Sequence, residues 1–212
     1  MSKINNVKYE DLPSEILSLI SSYSTNRENG LIARNHYDIA KYEQEKAISN
    51  PYFYIEKAHP FVKYLISFEK YQSDIFNKAC ELGRMDILDL FPRNYLEKRA
   101  NKILFCGASK GNNELIIYSL ELGAKKLNKG LYGSALYGSK NLVDYFISLG
   151  ADDINKGLYG AAIGGHIDLV DYFISLGADD INKGLYGAAI GGHIDLVDYF
   201  ISLGADDINK GL

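Results

Sequence analysis

Residues 157–183 read GLYGAAIGGHIDLVDYFISLGADDINK, and residues 184–210 repeat the same 27 residues without a change. A fixed period of this length marks an architecture built from one supersecondary unit, because each unit buries its apolar face only against its neighbours. The apolar spacing sets the conformation of the unit. In HIDLVDYFISL, the residues Ile167, Leu169, Val170, Phe173, Ile174 and Leu176 fall on one helical stripe, with Asp168, Asp171 and Ser175 on the other side. Gly177 follows as a left-handed stop. Upstream, LYGAAI predicts a second short helix ended by Gly164 and Gly165, with Asn155 as a cap for its start. Ala161 and Ala162 are small enough to let neighbouring helices approach closely. The chain is expected to be all-α, a helix-turn-helix solenoid.

The same unit extends towards the N-terminus. Residues 130–156 differ from 157–183 at six positions, and 103–129 are more diverged but in register. In 76–102, Gly83, Asp86 and Leu88 line up with Gly165, Asp168 and Val170. A unit at 51–75 rests on one match, FVKYLI at 61–66 against LVDYFI at 169–174. The expected organisation is an N-terminal helical region over 1–50 and an array over 51–212. Gly211-Leu212 open a further unit. The helix at 193–203 would then leave an apolar flank uncovered, from which fraying, self-association through that end or a truncated reading frame could each follow.

A content of 47% hydrophobic and 24% charged residues fits a folded, soluble chain. The net charge of −4 argues against nucleic acid as a partner. The charge is uneven: residues 130–210 carry four Lys and eleven Asp. No apolar run reaches the roughly 18 residues of a membrane helix. The opening MSKINNVKYEDLPSE is polar and mixed in charge, unlike a signal peptide. Two cysteines make neither a disulfide framework nor a zinc pattern, so a reducing, intracellular setting is expected, in cytoplasm or nucleus.

Each candidate chemistry has a simpler structural reading. Cys80 aligns with the core slot of Ala162, and Cys106 with Gly160, so both read as structural thiols. His166 and His193 recur one unit apart. Stacked helices lie roughly 10 Å apart, too far for two such imidazoles to share an ion at about 2 Å. LYGAAIGG lacks the spacing of a phosphate loop. No metal, cofactor or catalytic residue is expected, and an enzyme is not. Tyr132, Tyr159 and Tyr186 form a column, read either as packing at the core edge or as a binding stripe. The Asp-Asp pairs at 152–153, 179–180 and 206–207, with Asp144, Asp171 and Asp198, read as solvated edges or as a docking face for a basic partner.

Leu158, Ala161, Ala162, Gly165 and His166 resemble the L, A, A, G and H of the ankyrin pattern TPLHxAAxxGH, and LVDYFISLGADDIN is similar to its continuation. The resemblance covers about 76–210. It implies stacked helix pairs and a protein-binding function. The family unit is about 33 residues long with a hairpin finger; here Lys156-Gly157 stand at its Thr-Pro turn and Tyr159 at its first His. The fingers are therefore expected to be shortened or absent. Short repeats rich in Ile, Asn, Lys and Tyr are similar to those of large amoebal DNA viruses, which would place the protein in a host cytoplasm or nucleus.

At the N-terminus, LPSEILSLISSY predicts a helix with Asp11 as cap and Pro13 in its first turn. It reads as a helical cap on the array. It also resembles the opening of an F-box, which implies contact with a Skp-type adaptor through Leu12, Pro13, Ile16 and Leu17. The leading expectation is a non-enzymatic scaffold for protein–protein interaction. The alternative is a substrate-recruiting F-box and ankyrin adaptor for a host cullin-type ubiquitin ligase. The inner positions Gly160, Ile163 and Gly164 recur nearly bare of functional groups, so recognition is expected in the diverged part, 51–156. Tyr137 and Lys140 are the candidates there, beside the tyrosine column.

Overall fold

The computed structural model describes residues 61–67 and 69–207; the candidate adaptor residues Leu12, Pro13, Ile16 and Leu17 lie outside them. The described residues are all-helical, with no strand among them. The chain divides into two compact units, 1–91 and 92–212.

In the described part of the first unit, α1 (Phe61–Ile66) is followed by α2 (Glu69–Leu82) and the short α3 (Met85–Leu88). Val62, Leu65, Ile75, Phe76, Ala79 and Cys80 form its core. Phe76 meets Phe91 edge to face, with ring centroids 6.0 Å apart. Arg84 forms a two-pronged ion pair with Asp86. Helix α3 is short, and Pro92, which cannot continue a helix, stands at the N-cap position of the next one.

The second unit begins with α4 (Arg93–Glu97) and continues as four helix pairs: α5 (Ala100–Ala108) with α6 (Asn113–Glu121), α7 (Leu127–Tyr137) with α8 (Lys140–Ser148), α9 (Ile154–Gly164) with α10 (Ile167–Ser175), and α11 (Ile181–Gly191) with α12 (Ile194–Ser202). The first helices α5, α7, α9 and α11 pack on one another in that order, and each second helix packs on its own first helix. Only residues 176–180 separate α10 from α11, and the equivalent connection 149–153 is as short.

Glycine makes this packing tight. A Cβ on Gly160 would lie 2.7 Å from the Tyr132 carbonyl oxygen, and one on Gly187 2.9 Å from that of Tyr159. These are backbone contacts that no larger residue could make. The sequence pointed to Ala161 and Ala162 for this approach; they are buried, but Gly160 is what touches the neighbouring backbone. Within each pair, Gly157 faces the ring of Phe173, as Gly130 faces Phe146 and Gly184 faces Phe200. All three phenylalanines are fully buried.

Of the apolar stripe predicted for α10, Leu169, Val170 and Phe173 are buried and Ile174 is half-buried, whereas Ile167 and Leu176 are exposed at the two ends. The turn follows the predicted logic. Gly165 takes φ 76°, and the amides of Gly165 and His166 return to the carbonyls of Ala162 and Ala161. The start differs. Asp153, not Asn155, caps α9, its carboxylate accepting from the amide of Lys156 at 3.0 Å. Asn155 lies inside the helix and serves the next pair.

Candidate interaction surface

Three sets of contacts tie successive pairs together, and each recurs at a fixed sequence separation. The first uses asparagine. The Asn155 side-chain oxygen accepts from the amides of Asp179 and Asp180, both at 3.0 Å, while its amide nitrogen donates to the Asp179 carboxylate at 2.8 Å. Asn128 makes the same bridge to Asp152 and Asp153, and Asn182 to Asp206 and Asp207. Asn101 holds the amides of Lys125 and Lys126. These bridges satisfy amides at the helix starts, donors that have no partner within their own helix.

The second set uses an imidazole. Nε2 of His166 lies 3.1 Å from the carbonyl oxygen of Leu136, and Nε2 of His193 lies 3.0 Å from that of Ile163. A carbonyl only accepts, so Nε2 carries the proton in this bond. The His166 ring rests on Gly138 and the His193 ring on Gly165, both glycines at positive φ. In the diverged pairs, Asn112 and Ser139 stand at the His166 position and cap their own second helix instead. There the ring of Tyr137 covers Gly111 in place of an imidazole. Gly164, at the Tyr137 position, is itself crowded by the His166 ring. Each junction thus holds one ring.

The third set lies on the second helices. The Tyr172 hydroxyl donates to the Asp144 carboxylate at 2.6 Å, and Tyr199 does the same to Asp171. Lys140 donates to the other Asp144 oxygen at 2.7 Å and sits 4.0 Å above the Tyr172 ring. At the equivalent place one pair earlier stands Ile117, and both Ile117 and Tyr145 are exposed.

The candidate residues are therefore distributed as follows. Phe105, Tyr132, Tyr159 and Tyr186 form one stack along the first helices, with centroid separations of 5.8, 5.9 and 6.2 Å and nearly parallel rings. The faces of Tyr132 and Tyr159 are spent on each other, and what they offer outward is edges and hydroxyls. Burial, and then the neighbouring tyrosine, pushes the Tyr132 and Tyr159 hydroxyls above their ordinary pKa. Tyr137, the last residue of α7, is 51% exposed. Lys140 belongs to the second-helix set and not to the tyrosine stack. In the sequence Asp144 reads only as part of an acidic row. Its bond to a tyrosine 28 residues later has a sequence signal, the recurrence of Asp and Tyr one position apart in every LVDYF.

The hydrogen bond from Lys140, and then that from Tyr172, holds the Asp144 carboxyl below its ordinary value. A carboxylate depressed by folding adds stability above its unfolded pKa and loses it as pH falls through the folded value. In Tyr172→Phe the Asp144 titration should move up, and in Lys140→Met it should move up further. Carboxyl carbon shifts followed by NMR through the acid range read this directly. An unchanged Asp144 midpoint in both variants would show that neither bond forms.

Among the described residues, no group of three His, Cys, Asp or Glu side chains could hold a metal ion, and no helix is long and apolar enough to cross a membrane. Cys80 is buried, Cys106 is half-buried, and neither is in a disulfide. Neither a known family model nor a curated protein sequence matches the chain.

Proposed function

We propose that the chain is a non-enzymatic scaffold for protein–protein interaction, an ankyrin-like solenoid whose fingers are reduced to short connections. The observation that carries this reading is the recurrence of one contact set along the stack, complete at the two junctions that join α7, α9 and α11. Asparagine, ring and tyrosine contacts repeat at separations of 24 to 30 residues. Units joined in this way make a long, regular surface. The residues of the family resemblance have roles that fit: Leu158, Ala161 and Ala162 are core, Gly165 turns the chain, and His166 reaches the preceding pair. Specificity then belongs where the units differ, around Tyr137, Lys140 and Ile117.

The test exploits that difference. A full-length variant with Tyr137→Gly, Ser139→His and Lys140→Ile carries the residues of the identical units at these positions and keeps one ring per junction. A protein retained by the wild type and lost by this variant supports the reading. Equal capture by both places recognition elsewhere.

The N-terminal segment LPSEILSLISSY supports a second reading, in which the array recruits substrates for a cullin-type ligase through a Skp-type adaptor. Retention of the adaptor by the wild type and its loss on Pro13→Ala with Ile16→Asp is the expected result. A wild type that retains no adaptor excludes it.

A further inference from the structure

Helices α5, α7, α9 and α11 start side by side, held there by the asparagine bridges. The residues just before each start form a row along one edge: Lys98-Arg99, Lys125-Lys126, Asp152-Asp153, Asp179-Asp180. The row changes sign after its second member, and Asp206-Asp207, held by the Asn182 bridge, extend its acidic part. The acidic part has reasons within the fold. Asp153 and Asp180 cap their helices, and Asp152 and Asp179 accept from asparagine side chains.

In the basic part, Arg99 has a reason as well, since its guanidinium lies 3.6 Å from the centre of the Tyr95 ring and donates to the Tyr95 carbonyl at 3.4 Å; the three lysines have no such reason. Arg99 and Lys126 stand at the N-cap without a side-chain cap bond. That choice gives up a capping interaction and sets cations at the positive end of a helix dipole. The Asn101 bridge uses only the backbone amides of Lys125 and Lys126, so it does not call for lysine. Lys98, Lys125 and Lys126 are exposed, and among the described residues no carboxylate pairs with them. A repeated choice that works against local stability is expected where a surface has another use.

We infer that this edge is an interface for a second copy of the chain, docked antiparallel edge to edge. In that arrangement Lys125-Lys126 face Asp152-Asp153 of the second copy, and Lys98-Arg99 face its Asp179-Asp180. Two-fold symmetry makes every contact twice, and among these four loops no like charges meet. Within one chain the opposite parts cannot pair in this way. Adjacent loops are separated by roughly the 8–10 Å of packed helices, about one Debye length at physiological salt. Apposition of two copies brings the same charges into direct contact. The inference stands apart from any partner bound by the diverged surface.

Sedimentation of the full chain across concentration at low salt should show a monomer–dimer equilibrium. It should be lost in about 1 M salt, where screening falls to about 3 Å. Lys125→Asp with Lys126→Asp should move two readouts in opposite directions. The thermal midpoint should rise, because the missing cap is restored, and dimer affinity should fall on the order of tenfold or more. Asp152→Lys with Asp153→Lys should also be monomeric. Mixing the two variants should restore association, since their altered loops complement each other. A chain that stays monomeric at low salt overturns the inference, as does association that survives salt or the lysine changes, or failure of the mixed variants to associate. A monomeric chain that binds poly-L-glutamate through these lysines overturns it as well, and assigns them to a different acidic partner.

Discussion

Phe173→Ser should destabilise the array by about 3–5 kcal/mol, the range for truncating a buried aromatic side chain, and Gly157→Ile made together with it should restore most of that loss. Phe173 is fully buried with its ring on Gly157. Gly157→Ile alone should also be strongly destabilising, because a Cβ at Gly157 already overlaps the ring. The chain contains the compensated form of this pair. Ile103 and Ser119 occupy the equivalent positions in α5 and α6, both fully buried. There the large residue is on the first helix and the small one on the second, and Ser119 satisfies its hydroxyl on the Ile116 carbonyl at 2.7 Å. Summed volume is nearly conserved, which is the kind of core exchange that is tolerated best. Denaturant midpoints of the wild type, both single variants and the double variant give the coupling directly. Single effects that simply add in the double variant would show that the two positions do not share one space.

Deleting residues 157–183 should leave a folded chain with a smaller but still cooperative transition. The sequence that follows the deletion is the sequence removed, so α7 and α8 meet the same partners as before. Asn155 would again find an Asp-Asp turn, and Gly138 would again receive a histidine ring. Loss of 27 residues should lower the calorimetric enthalpy by about 19 kcal/mol, taking about 0.7 kcal/mol per residue near 60 °C. Deleting only 170–183 removes most of α10 and the connection after it, and leaves α9 without its second helix. That variant should lose cooperative unfolding in the region. Calorimetry and circular dichroism distinguish the cases. A complete-unit deletion that fails to fold would mean that the pairs do not stack as interchangeable neighbours.

Much of this architecture was legible before any coordinates. The 27-residue period, two helices per unit, glycine stops at Gly165 and Gly177, and the buried slots of Leu169, Val170 and Phe173 all follow from local rules. Helical spacing and left-handed glycine operate within a few residues, and each needs only its own segment. The break at Pro92 does not belong to the 27-residue pattern, because proline there ends a segment that the later units continue as one helix.

The polar side chains were harder to read. Asn155 looks like a cap for its own helix, and Asp153 looks like one more charge on an acidic edge; their roles are nearly the reverse. His166 sits where Asn112 caps its own second helix, yet its ring turns to the preceding pair. The sequence by itself determined which segments are helical and how they recur, because helix formation and termination depend on neighbours along the chain. Only the tertiary structure decided what each polar group bonds and which tyrosine faces are covered by a neighbouring ring. Those bonds join residues 24 to 30 positions apart, and they exist only once glycine at positions such as 160 lets one helix backbone settle against the next.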